Sequence, residues 1–208
     1  MTRRWKRVVD VAGAATLLVL TSPLLAIAAA AVWAMMGRPV LFRQERTGLH
    51  GQIFTLLKLR TMVAAGGGDL AHDGMRITPL GRWLRATSVD ELPQLLNVLR
   101  GDMALVGPRP LLPAYLARYS AEQARRHEVP PGLTGLTQVS GRNGLSWEEK
   151  FALDVAYVDL WSLRLDAWIL WRTLVTVLRR DGIAAGGHAT MPEFLGSRQN
   201  GLATGGGR

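Results

Sequence analysis

The feature that most limits how this chain can fold is an uncharged stretch from Val11 to Met36, made almost wholly of Ala, Leu, Val, Ile, Met and Trp. As a helix rising about 1.5 Å per residue, it is long enough to cross a bilayer core of roughly 30 Å. Three readings compete for it. A cleaved signal peptide also starts basic and apolar, but its apolar core is typically about 7–15 residues, and here Asp10 interrupts the entrance. A simple spanning anchor meets an obstacle at Ser22-Pro23, near the middle of the run, because proline removes a backbone donor and clashes with the preceding turn. Charge supplies the sharper test, since Lys and Arg mark the cytoplasmic flank of a membrane segment. Arg3, Arg4, Lys6 and Arg7 precede the run, and Arg38, Arg43 and Arg46 follow it. A helix that enters, breaks at Ser22-Pro23 and returns puts both basic ends on one side. That re-entrant form is the expectation, with Asp10 at the interface paired to Lys6 or Arg7.

A chain of 208 residues supports one core and an appendage. The expected division is a membrane-anchoring segment over 1–37, a compact domain over 38–196 and a glycine-rich tail over 197–208. Cysteine is absent, which excludes disulfides and thiolate metal sites. A net charge of +9 calls for an acidic partner: nucleic acid, anionic lipid or a phosphorylated small molecule. No nucleic-acid motif is present, and the basic residues are scattered instead of massed on one helix. Seven Trp against four Phe and three Tyr favour the membrane–water interface.

Residues 40–62 read as strand and turn. Leu57 and Leu59 alternate with Lys58 and Arg60, the period of a strand with one polar face. Two such cations are ordinary surface unless a phosphate lies beside them. Ala64–Gly74, with three successive glycines, His72, Asp69 and Asp73, reads as a solvated loop. A helix is predicted from Ser88, with Ser88 and Glu91 as a capping box, Pro93 in its first turn, and Leu92, Leu95, Leu96 and Leu99 as its apolar stripe. Spacing alone leaves Asp90 and Glu91 open between a catalytic pair and acids that merely complement a helix dipole. Pro108 and Pro110 restrict the backbone around Arg109, so its planar fork of donors is presented ready for a phosphate.

Leu111–Glu128 reads as a polar helix. The loop from Leu133 to Gly144, with Gln138, Ser140, Arg142 and Asn143, is dense in donors suited to a polar ligand. Ser146 and Glu149 form a second capping box. Beyond Ser162, an apolar helix carrying Trp161, Trp168 and Trp171 and ending at Arg179-Arg180 suits either the membrane interface or a core. The fold class is α+β, mostly helical: a re-entrant helix–break–helix, interfacial helices and a small β element.

With these residues laid out, the chain resembles the bacterial sugar transferase family, the monotopic phosphoglycosyl transferases, in its minimal form. The likeness rests on Lys58-Leu59-Arg60-Thr61-Met62, Thr87 to Gln94, Asn97 to Pro110, and Pro131-Gly132-Leu133-Thr134-Gly135 with Gly141-Arg142-Asn143. The ending Gly187-His188-Ala189-Thr190, with Glu193-Phe194 and Gly196, resembles the PglC branch, which begins bacterial N-glycans. The resemblance implies transfer of a sugar 1-phosphate from a UDP-sugar to a polyprenyl (undecaprenyl) phosphate, releasing UMP. This is the first membrane step of N-glycan, O-antigen, capsule or exopolysaccharide assembly, upstream of further glycosyltransferases. It also implies Mg²⁺, a helix broken at Ser22-Pro23, and a place on the cytoplasmic face of the bacterial inner membrane. Asp90 matches the nucleophile and a metal ligand, Glu91 its partner carboxylate, and Arg85 and Arg109 the basic residues near the phosphate; Lys58, Arg60, Pro108, Pro110, Gln138 and Arg142 complete the expected substrate site. Leu136-Thr137 and Ser140 stand where the family often has Trp-Ala and Asn, a departure bearing on the donor and not on the reaction type.

The expected chemistry is a two-step transfer. Mg²⁺, Arg85 and Arg109 neutralise the diphosphate. Asp90, held ionised by a helix dipole, attacks the sugar-bearing phosphorus. Glu91 deprotonates or positions the acceptor. The competing readings are direct transfer in a ternary complex, with Asp90 and Glu91 only holding Mg²⁺, and a basic membrane-anchored binding protein with no catalysis.

Overall fold

The computed structural model describes residues 3–63, 76–141, 144–179 and 193–196. Helices dominate, with two small two-stranded sheets. Helix α1 (Arg3–Met36) runs unbroken with Pro23 inside it, where the sequence predicts two helices. The local chemistry explains how the helix passes the proline. Pro23 has no N–H for the carbonyl of Val19, four residues earlier. The Ser22 hydroxyl donates to that carbonyl at 2.8 Å instead, and Thr21 Oγ1 donates to Leu17 O at 2.7 Å.

One face of α1 packs on the rest of the protein, with Ala14 and Leu18 toward one end and Leu25, Ala28 and Val32 toward the other. Ala14 joins a core with Leu56, Leu95, Val98, Met103, Leu105, Val106, Tyr157 and Ile169. Near the other end, Ala28 and Val32 join a second cluster with Leu59, Leu84 and Val89. Between them Val19, Leu20, Leu24 and Ile27 are exposed, Leu20 to 72%. Arg7 donates to the last carbonyls of a later helix, Val98 O at 2.5 Å and Leu99 O at 3.0 Å. Asp10 pairs with Lys6 at 3.3 Å, as expected. The site of that pair is a protein interior, because Lys6 also reaches Asp166 at 2.8 Å and Asp10 accepts from Leu105 N at 3.2 Å.

The expected strands over 40–62 are an antiparallel hairpin, β1 (Leu41–Thr47) and β2 (Ile53–Leu59), with Lys58 opposite Phe42. Helix α2 (Pro79–Thr87) starts on Thr78, whose hydroxyl accepts from Gly81 N. A Cβ on Gly81 would lie 1.9 Å from Thr61 O, so only glycine lets α2 lie this close to the end of β2. Ser88 then adopts a left-handed conformation, φ 58°, ending α2 and opening a single tight turn, Val89–Glu91. The predicted capping box does not form: the Ser88 side chain makes no capping bond there. Helix α3 (Gln94–Arg100) begins later and ends at Gly101, φ 100°. Fully buried Asn97 ties α3 to β2, accepting from Leu57 N at 3.1 Å and donating to Thr55 O at 2.8 Å. That tie fixes where Lys58 stands relative to the turn.

Strands β3 (Ala104–Val106) and β4 (Gly132–Thr134) pair in parallel. The predicted helix over 111–128 is instead a 3₁₀ stretch (Pro113–Arg118), a short helix α4 (Ala121–Ala124) capped by Ser120 and Gln123, and a second 3₁₀ turn (Arg125–Glu128). Helix α5 (Leu136–Ser140) occupies the predicted loop. Helix α6 (Trp147–Leu160) carries the expected Ser146–Glu149 capping box. Helix α7 (Leu163–Arg179) buries Asp166 and Ile169 and exposes Trp168, Trp171 and Leu174, so it serves core and surface at once. Phe194 fills an aromatic cluster with Tyr115, Tyr119, Trp147 and Phe151. The loop with His72 and the stretch 187–190 lie outside the described residues.

Candidate active site

The left-handed break at Ser88 and the turn after it aim Asp90 and Glu91 into different surroundings. The Glu91 carboxylate receives Lys58 Nζ at 2.6 Å and Arg109 at 3.2 Å on the same oxygen. Asp90 is 5% exposed, and among the described residues no donor hydrogen-bonds its carboxylate. The two acids accordingly move apart. Burial pushes Glu91 up, but the charges of Lys58 and Arg109 outweigh it and hold the group at a pKa of about 2. Burial and the neighbouring Glu91 charge raise Asp90, against the pull of Lys58, Arg85 and Arg109. The turn at Asp90 is a single 3₁₀ turn and not the start of a longer helix, and desolvation, with the Glu91 charge, is what raises its pKa.

Arg85, on α2, donates from Nε to Thr61 Oγ1 at 3.0 Å, which places its guanidinium over the end of β2 with outer donors to spare. Arg109 is half-exposed, and its backbone is held from behind. Buried Arg126 donates to Arg109 O at 2.7 Å and to Asp154 at 2.7 and 3.0 Å, while Asp154 accepts from Thr137 Oγ1 at 2.6 Å. Pro108 and Pro110 are buried on either side, and Gly132 N donates to Pro108 O at 2.9 Å. The stiffness expected of the prolines is therefore shared with a buried ion pair. Thr137, one of the departures from the family pattern, is buried and donates to that pair.

Lys58, Arg85 and Arg109 come together with Asp90 and Glu91 as expected. Arg60 does not. Its guanidinium donates to Met36 O, to Gly37 O at 2.7 Å and to Arg38 O at 3.2 Å, capping the end of α1. Alternate residues of β2 share a face, but the end of α1 captures Arg60 first. The Gln138 amide is enclosed, with neither polar atom hydrogen-bonded. Arg142 lies outside the described residues. Arg46 was missed: read only as a basic flank of the apolar run, it sits partly buried near Arg109, Tyr115 and Glu91. Lys150 is also close enough to feel Arg109. A strand alternation joining Gln44 and Arg46 was the available signal.

Lys58, Arg85, Arg109 and Arg46 gather around two carboxylates in a partly desolvated place, an environment that attracts a polyanion. A family model described as bacterial sugar transferase matches residues 1–180. The chain belongs to the bacterial sugar transferase family. It is 52% identical over 194 residues to the sugar transferase EpsL of Bacillus subtilis, covering 92% of this chain and 96% of that protein. It is 48% identical over 188 residues to the UDP-glucose:undecaprenyl-phosphate glucose-1-phosphate transferase of Caulobacter vibrioides, covering 85% and 70% respectively. It is 38% identical over 203 residues to the undecaprenyl-phosphate galactose phosphotransferase of Salmonella typhimurium, of which the match covers 42%. The cations near Asp90 and Glu91 come from four separate elements: Lys58 from β2, Arg85 from α2, Arg109 from the segment after β3, and Arg46 from β1.

Proposed function

We propose that this sugar transferase moves a sugar 1-phosphate from a UDP-sugar to a polyprenyl phosphate through a covalent Asp90 intermediate. One observation carries the reading: a buried carboxylate with no hydrogen-bond partner among the described residues stands near cations that the neighbouring Glu91 does not fully neutralise. An Asp90 oxygen attacks the phosphorus that bears the sugar. The bond from that phosphorus to the UMP oxygen breaks, and UMP leaves with its electron pair. A polyprenyl phosphate oxygen then attacks the same phosphorus, and the bond to Asp90 breaks to restore the carboxylate. Lys58, Arg85 and Arg109 neutralise the phosphates at both steps. Glu91, with a pKa of about 2, is too weak a base for neutral pH. Its part is to hold Lys58 and Arg109 in place.

The residues fit a Mg²⁺ requirement. Among the described residues no cluster of three or more His, Asp or Glu is present, but Mg²⁺ needs only one or two carboxylates when substrate phosphates and water supply the rest. Asp90 is the carboxylate with lone pairs to offer, and a bound Mg²⁺ would add Lewis-acid neutralisation of the diphosphate.

Both ends of α1 lie on the cytoplasmic side of the inner membrane in this reading, with the catalytic body beneath. Its support is the packing of both ends on one body, the basic flanks, and exposed apolar faces on α1 and α7 that include Trp5, Trp33, Trp168 and Trp171. Cysteines introduced near residues 2 and 45 are expected to label from the same face; labelling from opposite faces contradicts it. For the reaction, the test is UMP release against a panel of UDP-sugars. One donor should give about one UMP per enzyme without acceptor, and continuous release with polyprenyl phosphate. Release of sugar instead of UMP, or no release from any donor, contradicts the reading.

A further inference from the structure

Arg46 lies on β1, its backbone paired with Phe54 of β2. Its neighbour Thr47 ties this strand end to the segment that follows Arg109. Thr47 N and Oγ1 both donate to Leu111 O, at 3.0 and 2.8 Å. The Arg46 guanidinium is turned by a neutral partner, Gln44, whose Oε1 it reaches at 2.6 Å. The two side chains stand on the same face of the strand, two residues apart. Among the described residues Arg46 has no carboxylate within ion-pair distance, and its Nε is enclosed and unpartnered.

The Thr47–Leu111 tie holds Arg46 near Arg109; two arginines close together in a partly desolvated place repel, and an anion between them relieves the repulsion. Burial first, and then the charge of Arg109, hold the Arg46 guanidinium down to a pKa of about 10. Tyr115 and Glu91 offset this only in part. Glu91 attracts Arg46, but its carboxylate is already occupied by Lys58 and Arg109. The cations therefore fall into two overlapping groups. Lys58, Arg85 and Arg109 act on Asp90, whereas Arg46 acts on Arg109 and Glu91. Arg109 is common to both. A ligand with two linked phosphates lying across Arg109 meets Asp90 with one phosphorus and Arg46 with the other.

Building on the transfer proposed above, we propose that Arg46 is a positioning residue for the phosphate that is not attacked, the one that leaves as UMP. Arg46 and Arg109 grip that phosphate from two strand ends, so that the attacked phosphorus is presented to Asp90 and negative charge on the departing nucleotide is stabilised. Arginine suits the task because its fork can serve Gln44 and a phosphate oxygen together. The polyprenyl phosphate, which arrives after UMP has gone and attacks on the Asp90 side, does not depend on it.

The test uses the full chain in lipid nanodiscs, with Arg46→Gln and Arg46→Lys. Binding of UMP and of inorganic pyrophosphate is measured by calorimetry, and KM is measured separately for UDP-sugar and for polyprenyl phosphate. Loss of charge-assisted hydrogen bonds in Arg46→Gln should weaken UMP roughly 10- to 100-fold and raise the UDP-sugar KM in step. The polyprenyl phosphate KM should stay unchanged, and Arg46→Lys should recover part of the loss. A merely structural role would shift both KM values and the melting temperature together. Unchanged UMP affinity in a folded variant overturns the proposal, as does a change confined to the polyprenyl phosphate KM. If Arg46→Gln does not fold, the same comparison on Arg46→Lys decides. If wild-type protein binds pyrophosphate but releases no UMP from any UDP-sugar, the transfer reading fails by itself. The pyrophosphate affinity of the variants then still supports or overturns the anion grip of Arg46.

Discussion

Two acidic pairs in this molecule look alike in composition and differ in what surrounds them. At the foot of α1, Asp10 and Asp166 share Lys6. Both acids also accept from other donors: Asp10 takes Leu105 N on the oxygen that meets Lys6, and Asp166 takes the Tyr157 hydroxyl at 2.7 Å on one oxygen and Trp161 Nε1 at 3.2 Å on the other. At the break between α2 and α3, one Glu91 oxygen receives both Lys58 and Arg109, but among the described residues Asp90 accepts no hydrogen bond, and cations outnumber the acids. The first network closes on itself and joins α1 to β3 and α7. The second is left open, and an excess of partly buried cations attracts an anionic ligand. A saturated charge network holds structure; an unsaturated one is where chemistry can occur.

The largest expected effect separates the two regions by substitution. Asp90→Asn should lower transfer by roughly 10³-fold or more without lowering the melting temperature, since burial disfavours the charge it removes. Transfer within the range of wild type would break the comparison at its centre. Lys6→Met should do the reverse. It leaves Asp10 and Asp166 buried without their cation, costing about 3–5 kcal/mol of stability, read from the thermal midpoint in nanodiscs. Its activity per folded molecule should stay near wild type, and a Lys6→Met protein as stable as wild type would show that the foot of α1 is not a closed network.

The smallest effect lies in the pH profile. With Asp90 raised by burial and by Glu91, the first half-reaction should fade as pH drops through the Asp90 pKa, which lies above the usual carboxylate range. Glu91→Gln removes the negative neighbour and leaves Lys58 and Arg109 unneutralised. Both changes lower the Asp90 pKa. The acid limb of the residual activity should therefore move to lower pH, and a limb moved upward would mean that another group sets it.

Much of this was legible in the sequence where the determinants are local. The hairpin over 41–59 follows from strand alternation, the start of α6 from Ser146 and Glu149, and the stiff presentation of Arg109 from its two prolines. The adjacency of Asp90 and Glu91 pointed to the site, and the block order around them to the family. What failed was set by contacts distant in sequence. Ser88 looks like an N-cap by spacing, yet the packing of α2 on Thr61 ends one helix there in a left-handed residue before the next begins. Arg60 has the right strand face for a phosphate, but the end of α1 takes it. The helix predicted over 111–128 is broken because Tyr115 and Tyr119 turn into an aromatic cluster completed by Phe194. Lys6 and Asp166 meet across almost the whole chain, which no local spacing can signal. Arg46 was hidden differently, since proximity to the apolar run gave it a sufficient reason to be basic.

The central claim is that Asp90 becomes covalently linked to the phosphosugar. Intact-protein mass spectrometry after addition of UDP-sugar and Mg²⁺, with no polyprenyl phosphate, tests it most directly. The account predicts a mass increase equal to one sugar phosphate, absent in Asp90→Asn and discharged when polyprenyl phosphate is added. Metal-dependent transfer in the complete reaction, with no adduct trapped at any time and no UMP released before acceptor is present, would contradict it and favour a direct ternary-complex reaction.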